Sequence, residues 1–354
     1  MKTDSPDIDK QALCRLLKVE YGLEVATLSF VPEGEESYGY VAQTSPKRHY
    51  FVKVYEHPSD LDVRYEAANK LHTQCDLEYV VCPYETRQGR FHSELGEYAV
   101  AVFNFVEGTV PDQSGFTDEE WEQAAILTAL LHASVQCSSL PSLPTEQFEI
   151  WFKDWLLNVL TATDGSEPLE NQCEQRARKL LASEKDDILA TLKKLERLTE
   201  RAHGIEWEQA LTHGDLTPEN FIKDSDGNLH IVDWSKIAVA PPERDLVNFV
   251  GERFGLFLTQ YVRAYGRCPR LHPELFEYYS YFLILWGIAD YGSWILLEDA
   301  NPIEKEHAWK RLQQYLPIDH ENVQGEASRI GQAIQRASGA AQPADGPLVR
   351  KCAE

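Results

Sequence analysis

The sequence predicts an α+β chain in two lobes: a small antiparallel β-sheet with one key helix, then a larger, mostly helical part. Three observations predict it. Short β-rich runs separated by turns fill the chain up to Val106, long helical runs replace them after Glu107-Gly108, and two carboxylates and an amide (Asp215, Asn220, Asp233) arrive from one loop and the hairpin behind it. The lobes are expected at residues 1–107 and 108–337, followed by a disordered tail at 338–354, where small, polar, Pro- and Gly-rich residues cannot build a core.

Residues 6–21 carry Ile8, Leu13, Leu16 and Leu17 on one helical face, and Gly22 is placed to end that helix. Residues 24–30 read as a strand, then comes the turn Glu33-Gly-Glu-Glu-Ser-Tyr-Gly-Tyr40, and residues 41–44 continue extended. Tyr50-Phe-Val-Lys-Val-Tyr55 alternates and is rich in β-branched and aromatic residues, so it is a strand. Val52 and Val54 then share one face, and Lys53 shares the other with Phe51 and Tyr55. A helix is expected over residues 58–74, with Glu66 off its apolar stripe, and two further strands over 80–83 and 98–106. Thr117 and Glu120 form a capping box for a helix over 121–134. From there to about Leu198 the chain reads as mostly helical. Beyond the central motif, residues 243–265, 273–297 and 303–315 are expected as long helices.

The 354-residue chain has 34 Lys and Arg against 57 Asp and Glu, a net charge of -23. That balance argues against nucleic acid or an anionic membrane surface as partner and favours a cation where the acidity is focused. The seven cysteines are widely spaced without a CxxC pair, so neither a disulfide framework nor a zinc site is suggested. No apolar leader or membrane-length run is visible, and a cytoplasmic location is expected.

The chemistry centres on Leu211-Thr-His-Gly-Asp-Leu-Thr-Pro-Glu-Asn-Phe-Ile222 and Leu229-His-Ile-Val-Asp-Trp-Ser235. Singly, Asp215 reads as a turn former and Asn220 as a helix cap. Together with a strand lysine and a helix glutamate upstream they point elsewhere. Asp215 is placed to accept a proton from a hydroxyl or to orient it, and Asn220 and Asp233 to hold Mg²⁺ on a nucleotide. Trp286, Asp290, Tyr291, Trp294 and Glu298 recur at helical spacing. Such a stripe is ordinarily core, but acids among aromatics also suit an alkylammonium or amino sugar.

The HGD-x4-N and Ile231-Val-Asp-Trp234 motifs resemble the catalytic signature of the aminoglycoside phosphotransferase family, and the resemblance runs from about Ile8 to Tyr315. Leu16–Gly22 and Ala240–Leu246 are most similar to the spectinomycin phosphotransferase branch. The resemblance implies a protein-kinase-like fold, with ATP as co-substrate and Mg²⁺ as cofactor. It implies that Lys53 contacts the α- and β-phosphates and is held by Glu66, that the backbone of Asn104 and Val106 pairs with adenine, that Asp215 is catalytic, and that Asn220 and Asp233 ligate the metal. His213 and Asp245 would be structural. The acceptor would be an aminoglycoside or aminocyclitol antibiotic; a choline, homoserine or methylthioribose-type metabolite is the alternative, and a non-catalytic nucleotide-binding protein a third. The turn at 33–40 lacks the G-x-G-x-x-G pattern of protein kinases. Ser37 in that turn is a candidate phosphate contact, and Glu33, Glu35 and Glu36 would have to face solvent to avoid repelling the triphosphate.

Overall fold

A computed structural model describes residues 2–32, 34–56, 61–111, 116–165 and 171–340. They form two compact units. One comprises Lys2–Glu146, Glu208–Arg270 and the chain from Ala333; the other comprises Gln147–Trp207 and Leu271–Gln332. This grouping differs from a division at residue 108, because the N-terminal sheet and the loops carrying Asp215 and Asp233 belong to the same unit.

That unit opens with α1 (Lys10–Glu20), whose first turn is capped by the Asp9 carboxylate accepting from the N–H groups of Gln11 and Ala12. β1 (Thr27–Val31), β2 (Ser37–Ser45) and β3 (Arg48–Glu56) follow, then α2 (Leu61–Gln74), β4 (Ser93–Leu95) and β5 (Tyr98–Asn104). The five strands make one antiparallel sheet in the order β1-β2-β3-β5-β4. Its alternation separates two faces. Tyr40, Ala42, Tyr50, Val52, Val54, Val100 and Val102 pack with Leu13 and Leu17 of α1, which leaves Gly39, Phe51, Lys53, Tyr55 and Ala101 on the opposite face. Residues 80–83 do not form the expected strand. Val80 bridges Ile231 and Pro83 bridges Phe103, each as a single contact, and Pro83 has no N–H with which to extend a ladder.

After residues 105–107, β6 (Gly108–Thr109) pairs with a later strand, and α3 (Asp118–Ala133) begins at the capping box of Thr117 and Glu120. A Cβ on Gly108 would lie 2.3 Å from the Lys223 carbonyl oxygen, so only glycine lets the two strands cross there. The chain then builds the helical unit with α4 (Lys153–Ala162) and α5 (Gln172–Ala202) and returns to the first unit. There it lays down β7 (Ala210–Thr212), β8 (Phe221–Asp224), β9 (Leu229–Ile231), β10 (Ala238–Ala240), α6 (Glu243–Leu246) and α7 (Phe254–Tyr265). The helix expected over 243–265 is broken: a single 3-10 turn at Val247–Phe249 and Gly251 separate α6 from α7.

The helical unit is completed by α8 (Pro273–Leu296) and α9 (Pro302–Leu312). α8 is apolar nearly all round because α4, α5 and α9 surround it. A last helix, α10 (His320–Ala340), was not visible in the sequence, and it overlaps the start of the expected tail. The remainder of that tail, and the first residues of the expected 58–74 helix, lie outside the described residues.

Candidate active site

β7 is buried throughout and delivers His213, itself fully buried. Burial holds the imidazole below its usual pKa, so the ring is neutral. Its Nε2 donates to the Val232 carbonyl at 2.8 Å, while the Asp215 N–H donates to Nδ1 at 3.3 Å. His213 therefore fixes the loop carrying Asp215 to the loop carrying Asp233. Both ring nitrogens serve structure, in line with the role the resemblance assigned.

α6 clamps this loop from behind. The fully buried Asp245 accepts from the backbone N–H groups of His213 and Gly214, both at 2.7 Å, and pairs with His132 Nε2 at 3.1 Å. Burial alone would raise its pKa; the hydrogen bond from His132 and the nearby Arg244 charge hold it below the usual carboxylate value. Arg244 donates to Thr212 Oγ1 at 2.8 Å and to the Lys236 carbonyl at 3.2 Å. Gly214 sits between these clamps with φ +87°, and a Cβ there would lie 2.4 Å from Arg244 Nη2. Gly214→Ala is expected to cost about 1–2 kcal/mol from the left-handed backbone alone, and more through displacement of Arg244. Urea denaturation checks this; an unchanged midpoint would contradict it.

The expected site residues converge in part. Asn220 donates its amide nitrogen to the Asp215 carbonyl at 2.6 Å, and the Val232 N–H donates to the Asn220 carbonyl at 3.0 Å, so Asp215, Asn220 and Val232-Asp233 form one hydrogen-bonded assembly. Asp233 has φ 68°, left-handed for a non-glycine residue, a conformation aspartate tolerates better than most. Ser235 Oγ donates to its Oδ1 at 3.1 Å, and Lys53 Nζ pairs with its Oδ2 at 2.8 Å. Burial works to raise the Asp233 pKa, but the adjacent Lys53 charge and hydrogen bond, with the Lys236 charge, bring it down to about 2. The carboxylate is ionised at any working pH.

Other placements differ from expectation. Lys53 is paired with Asp233, and Glu66 with Lys70 at 2.6 Å, one turn along α2. An i,i+4 partner is always within reach on a helix surface, whereas the lysine across the sheet has a closer carboxylate. Glu36 is half-exposed, and its Oε1 also lies 2.6 Å from Lys236 Nζ. Glu33 lies outside the described residues. Ser37 is buried at the start of β2, opposite Tyr55, which places it on the Lys53 face. Asn104 ends β5 and its Oδ1 accepts from Tyr84 at 2.5 Å; Val106 follows in the segment between β5 and β6.

The acceptor candidates all lie in the helical unit. Tyr291 is buried, stacked on Tyr315, and its hydroxyl accepts from Arg311 at 3.0 Å. That is a packing position, with no surface to offer a ligand. Trp294 lies 6.2 Å from Tyr291, edge to face. Glu298, beyond α8, accepts from Ser293. Trp286 and Asp290 are half-buried, and Trp286 lies 6.3 Å from Trp151. Trp151 and its neighbour Trp155 are 57% and 50% exposed. Sequence reading passed over both, although two tryptophans four residues apart, one just before α4 and one in its first turn, were a signal.

It also passed over Lys236, whose Nζ lies 3.2 Å from Asp215 Oδ2, because nothing local ties a lysine after Asp-Trp-Ser to a carboxylate 21 residues back.

The chain is 26% identical over 328 residues to Protein StrN of Streptomyces griseus, covering 88% of this chain and 94% of that one. The fold is similar to a spectinomycin phosphotransferase solved with ADP and spectinomycin (TM-score 0.72, 20% identity, 92% of this chain and 99% of that one). It is also similar to an amicoumacin kinase solved with AMP-PNP and Ca²⁺ (TM-score 0.56, 13% identity, 87% and 93%). The model of the phosphotransferase enzyme family matches residues 27–278, the span that holds the sheet, Lys53, the HGD loop and Asp233, and the chain belongs to that family.

Proposed function

We propose that this phosphotransferase moves the γ-phosphoryl group of ATP to a hydroxyl of a small cationic molecule, with an aminoglycoside or aminocyclitol antibiotic such as spectinomycin as the leading acceptor. The observation that carries the reading is the assembly of Asp215, Asn220 and Asp233 on loops pinned by His213 and Asp245, with Lys53 at 2.8 Å from Asp233.

In the proposed reaction the acceptor oxygen forms a bond to the γ-phosphorus as the bond to the β,γ-bridging oxygen breaks, and ADP leaves with that electron pair. The acceptor proton passes to the Asp215 carboxylate and then to solvent. Lys53 would neutralise the α- and β-phosphates, and the Asn104 and Val106 backbone would hold adenine. Glu66 would support Lys53 only after exchanging Lys70 for it. Ser37 remains a candidate phosphate contact.

Asn220 and Asp233 offer hard oxygen donors suited to Mg²⁺, and the low pKa of Asp233 keeps its carboxylate ionised. Among the described residues no group of three or more His, Cys, Asp or Glu could hold a metal. When bound, the ion would neutralise charge on the transferring group.

Net charge -23 favours a cationic acceptor. So do the half-buried Trp286 and Asp290 in the helical unit, with Trp151 beside Trp286. The spectinomycin complex among the structural relatives supports an antibiotic acceptor. No helix of the described residues is long and apolar enough to cross a membrane. The test is a γ-phosphate-transfer screen against spectinomycin, other aminocyclitols, aminoglycosides, choline and homoserine. Turnover confined to the antibiotics is expected; turnover confined to a metabolite would overturn the acceptor class while keeping the reaction.

A further inference from the structure

Lys236 has no part in the roles above, yet it is the basic group nearest the reacting carboxylate among the described contacts. Its Nζ lies 3.2 Å from Asp215 Oδ2 and 2.6 Å from Glu36 Oε1. Its main chain is fixed, since Arg244 donates to the Lys236 carbonyl at 3.2 Å. Burial would lower the ammonium pKa, but Asp215, Glu36 and Asp233 outweigh it and hold Lys236 above its usual value, so it is charged throughout the working range.

The surroundings define what this cation is for. Lys53 neutralises the Asp233 side of the site. Asp215 must sit beside the phosphoryl group being transferred, where two negative groups repel, and Lys236 is the cation within hydrogen-bond reach of that carboxylate. Glu36 is the competing anion. It is roughly half-exposed, and ion pairs of that kind are weak and readily exchanged. It also directly precedes β2, whose Ser37 and Gly39 lie opposite Tyr55 and Lys53. A phosphate oxygen that takes Lys236 from Glu36 therefore acts on the turn that begins β2.

We propose that Lys236 binds the terminal phosphate of the nucleotide beside Asp215, and that Glu36 competes with that phosphate for it. Lys236 thereby makes the site prefer a triphosphate over a diphosphate, and Glu36 sets how strongly. This rests on the phosphotransferase reading of the same site.

The test measures binding of ADP and of AMP-PNP, each with Mg²⁺, to the full chain by calorimetry, alongside kcat with ATP. Lys236→Met is expected to weaken AMP-PNP about 10-fold or more while leaving ADP within about twofold, the scale of one charge-assisted hydrogen bond. Lys236→Arg should keep most of the preference, and unaltered ADP binding in both variants shows that the site is folded. Glu36→Gln is expected to tighten AMP-PNP about threefold or more relative to ADP, since removing a competing charge acts in the opposite sense. An AMP-PNP-to-ADP ratio in Lys236→Met equal to that of the unaltered chain overturns the proposal, as does weaker AMP-PNP binding in Glu36→Gln. Failure of the unaltered chain to bind either nucleotide overturns the phosphotransferase reading itself. Normal phosphotransfer with an unchanged ratio in Lys236→Met sinks only the role of Lys236.

Discussion

Asp215→Asn will lower kcat by about 100- to 10,000-fold, the range associated with a positioned proton acceptor, while ADP affinity stays within a few-fold. The amide keeps the size of the side chain, and the backbone around it is held by other groups: His213 Nδ1 accepts the residue 215 N–H, and the Asn220 amide donates to the residue 215 carbonyl. The loss should therefore appear in turnover and leave folding largely intact. Steady-state kinetics with both substrates saturating, together with calorimetric ADP binding, check it. A variant with near-normal kcat would remove Asp215 from the chemistry. A variant that loses ADP binding in the same proportion would assign it to nucleotide binding.

Asp245→Asn will act on stability. The carboxylate is fully buried and serves two backbone N–H groups and His132. An amide presents a donor where only acceptors fit, and breaking a buried charged cluster typically costs about 3–5 kcal/mol. For a unit of this size that corresponds to a fall in Tm of about 10 °C.

The pH dependence follows from the same groups. The folded pKa of Asp245 is depressed, so its contribution is present above the unfolded value of about 4 and is lost as pH falls through the folded value. His213 is also depressed, and the unfolded chain takes up its proton first, so stability begins to decline below about pH 6.5. The unaltered chain should lose stability in both ranges. Asp245→Asn should retain the step due to His213 and show a smaller one at lower pH. Denaturation midpoints between pH 7 and 3 test this, and identical acid profiles for the two proteins would contradict the role given to Asp245.

What could be read from the sequence was short-range. The alternation Tyr50–Tyr55 placed Lys53 on the face opposite Val52 and Val54, because side-chain direction in a strand repeats every two residues. The 117–120 capping box is a local hydrogen-bond pattern and marked the start of α3. Asp215, Asn220 and Asp233 lie within one loop and hairpin, so their spacing carried their association. What stayed hidden was non-local or weakly patterned. Lys236 meets Glu36 across 200 positions, a pairing no window reveals. Glu66 had two lysines to choose from, and only the fold shows Asp233 holding Lys53. α10 buries a sparse stripe of Val323, Ile330, Ala333 and Ala337 among polar residues and glycines, too thin for periodicity to register. The grouping of the sheet with the loops carrying Asp215 and Asp233 in one unit depends on contacts such as Arg64 to the Ile237 carbonyl, distant in sequence.

The most direct test of the central claim is phosphorus NMR of ATP, Mg²⁺ and an aminocyclitol acceptor with the unaltered chain and with Asp215→Asn. A new phosphomonoester resonance growing in step with ADP is predicted for the unaltered chain and none for the variant. ADP appearing with inorganic phosphate alone across the acceptor panel, or equal phosphomonoester formation by Asp215→Asn, would contradict the account.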